Sequence, residues 1–349
     1  MKISVDIAAL CNKLQEYGNH TVTRNIVEGI KRIDADNIYS LYSFCKKPQW
    51  LTLPENMLHK RILPRKLWLS TRVSLEEFLN TKDIFLALNQ AVPFYTKARI
   101  FSFSHGLSYY FFKDLYPNSY EVLKDQLFTM MDKSQYVFVS SAKVKKEMTS
   151  VFLKTDKVKV LPYGIPYDML TANVNSEYIS SKVRQISKKL FLYVGMDHPV
   201  KNLQFLVDAF TIFSQNQAYK DYTLLLIGAD FENLEIKTPN IQRLKQVNRE
   251  EIKYLYQKAS GYISASLYES FNFPVLEALS QNCPVVVRSS AIIPELSPYV
   301  HIADHVEEFV ESMKRLAAGS SKIISKEKLK KEFSWDSYLT KLISYYKPA

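Results

Sequence analysis

Cysteine, glycine and long apolar runs are scarce in this 349-residue sequence, and each scarcity excludes a class of protein. The three cysteines, Cys11, Cys45 and Cys283, are far apart and form no C-x-x-C pair, which argues against a disulfide framework and against a zinc site. No stretch approaches the roughly 18 apolar residues of a membrane-spanning helix. The N-terminal stretch Met1–Asp6 carries charge where a signal peptide needs an apolar stretch. These features predict a cytoplasmic protein.

Positive charge is concentrated in the first half of the chain. Residues 1–165 contain 24 Lys and Arg against 15 Asp and Glu, a net of +9, whereas residues 166–349 contain 22 against 20, a net of +2. A basic excess in one half indicates an anionic partner, which can be membrane lipid, nucleic acid or an acidic glycan. A lysine-rich composition without any such partner is the alternative. Nucleic acid is disfavoured because no readout motif is present and the basic residues are diffuse.

Short apolar, β-branched runs alternate with longer amphipathic stretches, which is typical of parallel sheets covered by helices. Strands are predicted near 3–8, 38–44, 84–88, 99–103, 136–140, 158–161, 190–194, 223–227, 261–264 and 284–287. Helices are predicted near 21–33, 119–131, 142–152, 203–214, 250–258, 274–280, 306–317 and 335–346. A turn at 161–164 divides the chain, so we expect an α/β protein with two Rossmann-like domains.

The segment 268–279 carries the strongest chemical signal. Pro274 suits the first turn of a helix, where its missing N–H costs nothing. Asn272 or the next residue then lies at the cap, and the N–H groups of about 270–276 lack helical partners. Such a helix start attracts phosphate through its free donors and its dipole.

Two carboxylates flank this predicted helix start. Glu269 precedes the helix and Glu277 falls in its first turns. Both carboxylates can therefore lie at the entrance of one binding site and bind the hydroxyls of sugar or ribose rings. The alternative is an ordinary helix with favourable acidic residues near its start.

The segment resembles the E-x7-E motif of the retaining GT-B glycosyltransferases of family four. Other segments agree with that family in the same order: 1–10 with Gly18, 103–105, 160–165, 192–195 with 201–203, 255–266, 284–287 and 294–296. The resemblance implies a GT-B fold, in which two Rossmann-like domains face each other across a cleft. It implies an acceptor-binding domain at 1–166, a nucleotide-sugar-binding domain at 167–334, and a C-terminal helix at 335–349 that crosses back to the first domain.

The resemblance also implies roles for individual residues. Glu269 matches the carboxylate near the reacting centre of the donor sugar, and Glu277 matches the one that binds ribose hydroxyls. Lys201 would stabilise the leaving diphosphate, and His105 would reach the donor sugar from the other domain. The remaining residues implied in donor binding are Gly18, Gly195, Val247, Ser270, Phe271, Asn272 and Phe273.

No metal ion and no other cofactor are expected. The resemblance implies that Lys or Arg and a helix N-terminus neutralise the diphosphate. Asp34-Ala35-Asp36 superficially resembles the metal-binding D-x-D of GT-A transferases, but it lies where a helix ends, and we interpret it as solvated acids. The histidines show no metal-ligand spacing.

The chain departs from the family pattern at several positions. Met196 replaces the usual arginine after Gly195, so a second cation for the diphosphate is missing unless Arg288 or Arg243 substitutes. The other departures replace a usual glycine or aspartate and are His20, Gly106, Ser270 and Asn272.

These observations predict a retaining hexosyltransferase of polysaccharide biosynthesis that moves a sugar from a nucleotide-sugar to a hydroxyl of a glycan or lipid-linked glycan. The run 86–93 resembles mannosyltransferases of the family, which favours GDP-mannose over a UDP-sugar. The alternatives are a non-catalytic nucleotide-sugar-binding GT-B protein and a GT-B epimerase.

Two segments, 58–68 and 109–113, mix basic with aromatic residues. This composition suits an anionic membrane surface, where each basic residue contributes about 1 kcal/mol, and predicts peripheral binding to the inner face of the membrane. A partly buried strand with solvated lysines is the alternative.

Overall fold

The computed structural model describes residues 1–12, 18–187, 189–228, 231, 234–245, 247–320 and 325–347. They separate into two units. The first unit runs to Gly164 and includes the segment from Phe333 onward, and the second is Ile165–Glu332. Each unit is an α/β Rossmann-like domain with a parallel sheet. None of the described helices has the length and apolar composition needed to cross a bilayer.

The first unit contains a seven-stranded sheet. Its strands are β1 Lys2–Asp6, β2 Ile38–Ser43, β3 Met57–Arg61, β4 Ile84–Ala87, β5 Arg99–Ser104, β6 Tyr136–Val139 and β7 Val158–Val160. Their order is β3-β2-β1-β4-β5-β6-β7, and every neighbouring pair is parallel. In register, Ile3 of β1 pairs with Tyr39 of β2 and Ile84 of β4. All four residues of β4 are fully buried, because helices cover both faces of a parallel sheet.

The second unit contains a six-stranded parallel sheet. Its strands are β8 Leu190–Val194, β9 Thr223–Ile227, β10 Ile241–Leu244, β11 Gly261–Ser264, β12 Val285–Val287 and β13 His301–Ile302. Their order is β10-β9-β8-β11-β12-β13. The chain therefore passes from β8 through β9 to the edge strand β10, and β11 then pairs with the other side of β8.

Helices alternate with these strands. In chain order they are α1 Gly18–Ile33, α2 Ser74–Leu79, α3 Ser108–Phe111, α4 Tyr120–Lys133, α5 Ala142–Val151, α6 Ser181–Arg184, α7 Leu203–Gln215, α8 Arg249–Lys258, α9 Phe273–Ser280, α10 Val306–Ala317, α11 Lys326–Glu332 and α12 Trp335–Ser344. In the second unit, Phe210 of α7 and Met313 of α10 belong to the same apolar cluster as Phe191 of β8. This packing holds the strand ends in place for the loops that follow them.

The C-terminal helix α12 packs within the first unit. The Trp335 ring stacks on the Tyr163 ring with 5.7 Å between centroids and 20° between planes. Gly164 permits this approach, because a Cβ atom there would lie 2.3 Å from the Trp335 nitrogen. Trp335, Leu339 and Leu342 are buried, so the helix contributes to the core of this unit.

The cysteine prediction was wrong for one pair. A disulfide joins Cys11 to Cys45, 34 positions apart in sequence, whereas Cys283 is free and buried. The cysteines follow β1 and β2, which are adjacent in the sheet. Their proximity therefore comes from strand pairing and leaves no spacing signal in the sequence.

Candidate functional site

The second unit has a topological switch point between β8 and β11. There the connections from two adjacent strands leave in opposite directions, and such points form ligand crevices beyond the carboxyl ends of the strands. The loop after β8 carries Gly195 and Lys201, and the loop after β11 carries Glu269 and Asn272. Four residues predicted from the sequence to belong to one site thus lie on the two loops at this position.

Two hydrogen bonds tie these loops together. The Leu267 amide donates to the Val200 carbonyl at 2.7 Å, and the Asn202 side chain donates to the Ala265 carbonyl at 3.3 Å. Asn202 has φ of 52° and ψ of 47°, a left-handed conformation that asparagine tolerates better than most residues. The position of Lys201 relative to the second loop is therefore set by backbone contacts on both sides of it.

Lys201 and Glu269 form an ion pair at the centre of the site. Lys201 Nζ lies 2.7 Å from Glu269 Oε1, and Ser266 Oγ donates to the same oxygen at 2.8 Å. The side chains are 22% and 14% exposed, so both charges are partly removed from water but remain accessible. The sequence did not single out Ser266.

Helix α9 starts as the sequence predicted, with Asn272 at its N-cap and Pro274 in its first turn. Asn272 has φ and ψ of 68°, and its side chain donates to the Ala291 carbonyl at 3.0 Å. The predicted run of unpartnered N–H groups was too long, because the Val275 and Leu276 amides both donate to the Asn272 carbonyl. A role of the Ser270–Phe273 amides in binding sugar and phosphate stays a prediction.

Glu277 is the buried member of a charge network that the sequence did not reveal, and its partners Arg249 and Asp168 are 26% and 29% exposed. Its Oε1 accepts a hydrogen bond from Arg249 Nη2 at 2.6 Å, and Arg249 Nε donates to Asp168 Oδ2 at 2.7 Å. The Tyr256 hydroxyl donates to Glu277 Oε2 at 3.4 Å. Glu277 is 3% exposed, so Arg249 supplies the positive charge that an ionised carboxylate requires in such a place.

Burial and charge set the protonation of this network. Burial raises the pKa of the Glu277 carboxyl, and the adjacent Arg249 guanidinium counteracts part of that rise. Burial also raises the pKa of the Tyr256 hydroxyl well above its ordinary value, so Tyr256 remains a proton donor. A sequence signal for Arg249 exists, since Asn248 and Glu251 form a capping box that places Arg249 at the start of α8.

Two glycines let the loops at the carboxyl ends of β8 and β9 touch. A Cβ atom on Gly228 would lie 1.8 Å from the Gly195 carbonyl oxygen. Beside this contact, the Tyr193 hydroxyl donates to the Met196 carbonyl at 3.2 Å. The backbone of the phosphate segment is thus held by a close approach that only glycine permits.

Replacing Gly228 with alanine is expected to lower the free energy of unfolding by about 1–3 kcal/mol, because the added methyl group would collide with backbone atoms that cannot rotate away. Chemical denaturation of wild type and variant measures the difference. Gly319→Ala is the matched control. Gly319 also has a positive φ, 80°, but a Cβ atom there meets nothing within 4 Å. Equal losses in the two variants would show that backbone angle, and not the contact with Gly195, controls the cost.

The two candidates for a second diphosphate cation have different surroundings. Arg288 follows β12, with Cζ 5.2 Å from the centre of the Phe205 ring and Nε 4.0 Å from an Asp304 oxygen. Arg243 is exposed on the edge strand β10, two strands away from β8. Strand β12 pairs directly with β11 of the switch point, whereas β9 separates β10 from β8. Arg288 is therefore the nearer substitute, and it stacks on Phe205 of α7.

His105 follows β5 in the first unit, where both ring nitrogens have partners. Nε2 lies 2.6 Å from the Leu88 carbonyl and Nδ1 lies 3.1 Å from the Tyr163 hydroxyl. A carbonyl only accepts, so Nε2 carries the proton and Nδ1 accepts from Tyr163. Burial lowers the pKa of His105, which favours this neutral ring. Its predicted contact with a donor sugar stays a prediction.

Three further predicted positions lie beside undescribed residues or within a helix. Gly18 is the first residue of α1 and is exposed, and its role in donor binding stays a prediction. Val247 immediately precedes the cap of α8, while Gln246 lies outside the described residues. His20 is buried in α1 and lines a cavity of about 300 Å³.

The interpretation of Asp34 and Asp36 as solvated acids was wrong for Asp34. Asp34 is buried and accepts hydrogen bonds from the Tyr39 hydroxyl at 2.5 Å and the Asn37 side chain at 2.8 Å. It therefore fastens α1 to β2. Within the part of the chain that the structure describes, no group of three or more His, Cys, Asp or Glu is arranged to hold a metal ion.

Comparison with known proteins finds similarity to glycosyltransferases. Residues 188–318 match the family model described as glycosyl transferases group 1. The chain is 23% identical to O-antigen chain mannosyltransferase B of Escherichia coli, over 92% of this chain and 86% of that protein. It is 28% identical to O-antigen chain mannosyltransferase RfbU of Salmonella typhimurium over 36% of this chain and 40% of that protein.

Among solved structures, sucrose-phosphate synthase from Thermosynechococcus elongatus is similar, with a TM-score of 0.71 at 13% identity over 99% of this chain and 98% of that chain. At this identity the similarity concerns the fold, which is GT-B. With the family match over 188–318 and the mannosyltransferase relatives, the chain is similar to group 1 glycosyltransferases and has their GT-B fold.

Proposed function

We propose that the protein transfers a sugar from a nucleoside-diphosphate donor to a hydroxyl of a glycan or lipid-linked glycan, retaining the anomeric configuration and using no metal ion. The observation that carries this proposal is the Lys201–Glu269 ion pair at the switch point between β8 and β11. It supplies a cation for a diphosphate and a carboxylate for a sugar at one place.

The Lys201–Glu269 ion pair places a positive and a negative group where they can bind different parts of one nucleotide-sugar. A carboxylate beside a diphosphate repels it, and Lys201 neutralises the Glu269 carboxylate while the site is empty of donor. When a diphosphate enters, the Lys201 ammonium turns from Glu269 to a phosphate oxygen. Ser266 continues to hold Glu269 Oε1, so the carboxylate stays in place and accepts hydrogen bonds from the sugar.

The proposed reaction is a front-face displacement. The bond between the anomeric carbon and the diphosphate oxygen breaks, and a bond to the acceptor oxygen forms on the same face of the sugar. The departing phosphate takes the acceptor proton. Negative charge grows on the diphosphate during this step, and the Lys201 ammonium, then beside a phosphate oxygen, stabilises this charge more than it stabilises the intact donor.

Glu277 is assigned to the ribose hydroxyls, and Arg249 is assigned to positioning Glu277. An ionised carboxylate offers about four lone-pair positions for hydrogen bonds. Arg249 and Tyr256 each use one position, which leaves capacity for two hydroxyl groups. Val247, two residues before Arg249, would lie against the nucleotide base.

The donor sugar is assigned from the relatives and the acceptor from the first unit. Both mannosyltransferase relatives favour GDP-mannose, with a UDP-sugar as the second choice. We assign the acceptor to the cavity of about 300 Å³ in the first unit. Its walls include Asn12 and Asn19 for hydroxyl groups and Arg65 for a negative group, and the Arg65 guanidinium lies over the Phe44 ring at 5.1 Å.

A non-catalytic nucleotide-sugar-binding protein is the second candidate function. Met196 in place of an arginine favours it, because one cation fewer faces the diphosphate. It predicts donor binding without transfer to any acceptor.

Thermal unfolding with a panel of UDP-, GDP- and ADP-sugars in the absence of metal tests the proposed function. A donor at about 100 times its dissociation constant is expected to stabilise the protein by about 2.7 kcal/mol. We expect the largest shift with GDP-mannose and the same shift when a chelator is present. Stabilisation by none of the panel would refute donor binding, and stabilisation without transfer to any glycan acceptor would support the second candidate.

A further inference from the structure

Exposed large apolar side chains are concentrated in the first unit. Among the described residues, sixteen such side chains lie in the first unit and three in the second. Soluble monomers rarely expose contiguous apolar patches, and those they do expose usually mark an interaction site. The unit with the excess of basic residues is thus also the unit with the apolar surface.

Four of these side chains form what we call the apolar face. Its members and their exposed fractions are Leu75 52%, Phe78 60%, Leu79 66% and Phe94 76%. Three of them are spaced i, i+3 and i+4 on α2 and so share one side of that helix. On the other side Ser74 and Glu77 are buried, so α2 has both a core side and an apolar solvent side.

Specific contacts fix the segment after β4 beside α2. The Tyr95 amide donates to Ser74 Oγ at 3.1 Å, and the Tyr95 ring lies 5.7 Å from the Phe78 ring. The Thr96 hydroxyl donates to Glu77 Oε2 at 2.8 Å. Phe94 is therefore held next to the exposed side of α2.

Basic residues accompany the apolar face. Residues 58–82 contain six Lys and Arg against two Glu, and Lys66, Arg72 and Lys97 are exposed. Lys133 Nζ lies 5.1 Å from the centre of the Phe94 ring. Of the two glutamates, one pairs with Lys60 and the other is buried, so the charge presented to solvent around the face is positive.

We propose that the apolar face docks on an anionic lipid surface, with the apolar side chains in the interface and the basic residues on the headgroups. An apolar patch with basic residues around it matches a bilayer that is apolar inside and negative at its surface. A second copy of this chain fits less well, since a two-fold dimer would place the basic residues against themselves. The proposal does not depend on the proposed function.

The proposed docking surface shares only the end of segment 58–68 with the two segments that the sequence indicated. Met57–Arg61 forms the edge strand β3, which is the alternative stated for that segment. Tyr109 is buried, and its hydroxyl accepts a hydrogen bond from Gln90 at 2.9 Å. Helix α2, the turn before it and Phe94 take the place of those segments in this proposal.

Flotation with lipid vesicles of defined composition tests the proposal on the full chain. We expect binding to vesicles containing phosphatidylglycerol and weak binding to pure phosphatidylcholine. Phe78→Ser combined with Leu79→Ser should lower the partition coefficient on the order of tenfold, and Lys66→Gln or Arg72→Gln about fivefold each at low salt. The control Ile212→Ser, at a 49% exposed position of the second unit, should leave the partition coefficient unchanged.

Three results would overturn the proposal. One is equal binding to neutral and anionic vesicles, and another is an equal loss in the control and the apolar variant. The third is a wild-type dimer in analytical ultracentrifugation that the apolar variant converts to a monomer. Unfolding midpoints establish that each variant is folded, and the two charge variants test the proposal even if the apolar variant is not. Vesicle binding needs no donor, so its failure is distinct from failure of the proposed transfer.

Discussion

Replacing Lys201 with methionine is expected to lower sugar transfer by about 100- to 1000-fold, the usual cost of removing one group that stabilises developing negative charge. Methionine keeps much of the length of lysine but not its charge, so Glu269 loses its partner at 2.7 Å and repels the diphosphate. Both the turnover number and the affinity for donor should fall. Initial rates at several donor concentrations measure the two effects.

Glu269→Gln separates the partners of this ion pair. The amide keeps the shape of the side chain but removes its charge, so Lys201 is released for the diphosphate. We therefore expect turnover to fall by a factor similar to that of Lys201→Met, with donor affinity unchanged or higher. The control is Lys189→Met, a 52% exposed lysine with a surface partner, which should behave as wild type. Near-normal turnover in both site variants would refute the assignment of the site.

Replacing Arg249 with methionine is expected to lower the free energy of unfolding by about 3–5 kcal/mol, the usual cost of removing one partner of a buried ion pair. Glu277 would remain buried with the Tyr256 hydroxyl 3.4 Å away, and Asp168 would lose both contacts to the guanidinium. Chemical denaturation measures the loss. Lys314→Met, which removes an exposed pair with Glu311 on α10, should cost less than about 1 kcal/mol.

The loss in Arg249→Met should depend on pH in a defined direction. Burial raises the pKa of Glu277 even with Arg249 beside it, and without Arg249 the pKa rises further. Below the ordinary carboxyl pKa both the folded and unfolded chains are protonated, and the penalty is absent. It grows as the pH rises toward the raised folded value. We therefore expect a larger difference from wild type at pH 8 than at pH 5.

A double variant distinguishes a charge effect from lost packing. Adding Glu277→Gln to Arg249→Met removes the unpaired buried charge and should recover at least about half of the lost stability. If the double variant is no more stable than the single one, packing of the guanidinium accounts for the loss. Loss of donor-induced stabilisation in the folded double variant would support the ribose assignment of Glu277.

The sequence revealed the strands inside the two sheets but not three strands at their edges. Strands β4 and β8 are continuous apolar runs because helices cover both faces. The three that were missed, β3, β10 and β13, each have a neighbour on one side only. An edge strand tolerates exposed polar residues, as Gln242 and Arg243 of β10 show, so its apolar pattern is weak.

The candidate site was predictable where it depends on local backbone and not where it depends on distant partners. The proline and asparagine at the start of α9 indicated the helix start because both residues have strong conformational preferences. Arg249 was missed because its contacts with Asp168 and Glu277 span 81 and 28 positions. The disulfide between Cys11 and Cys45 was missed for the same reason.

The position of α12 has a consequence for the order in which the chain can fold during synthesis. The ring pair Tyr163–Trp335 joins residues separated by the whole second unit. At 5–20 residues per second a ribosome needs on the order of 10–30 s to make that unit. During this interval the first sheet lacks α12, which has not yet been synthesised. The second unit, in contrast, already has all its strands when synthesis reaches Trp335. The unit translated first is therefore the last to be completed. Until α12 is made, the aromatic surface around Tyr163 is uncovered, and this is where a nascent chain would need protection from aggregation.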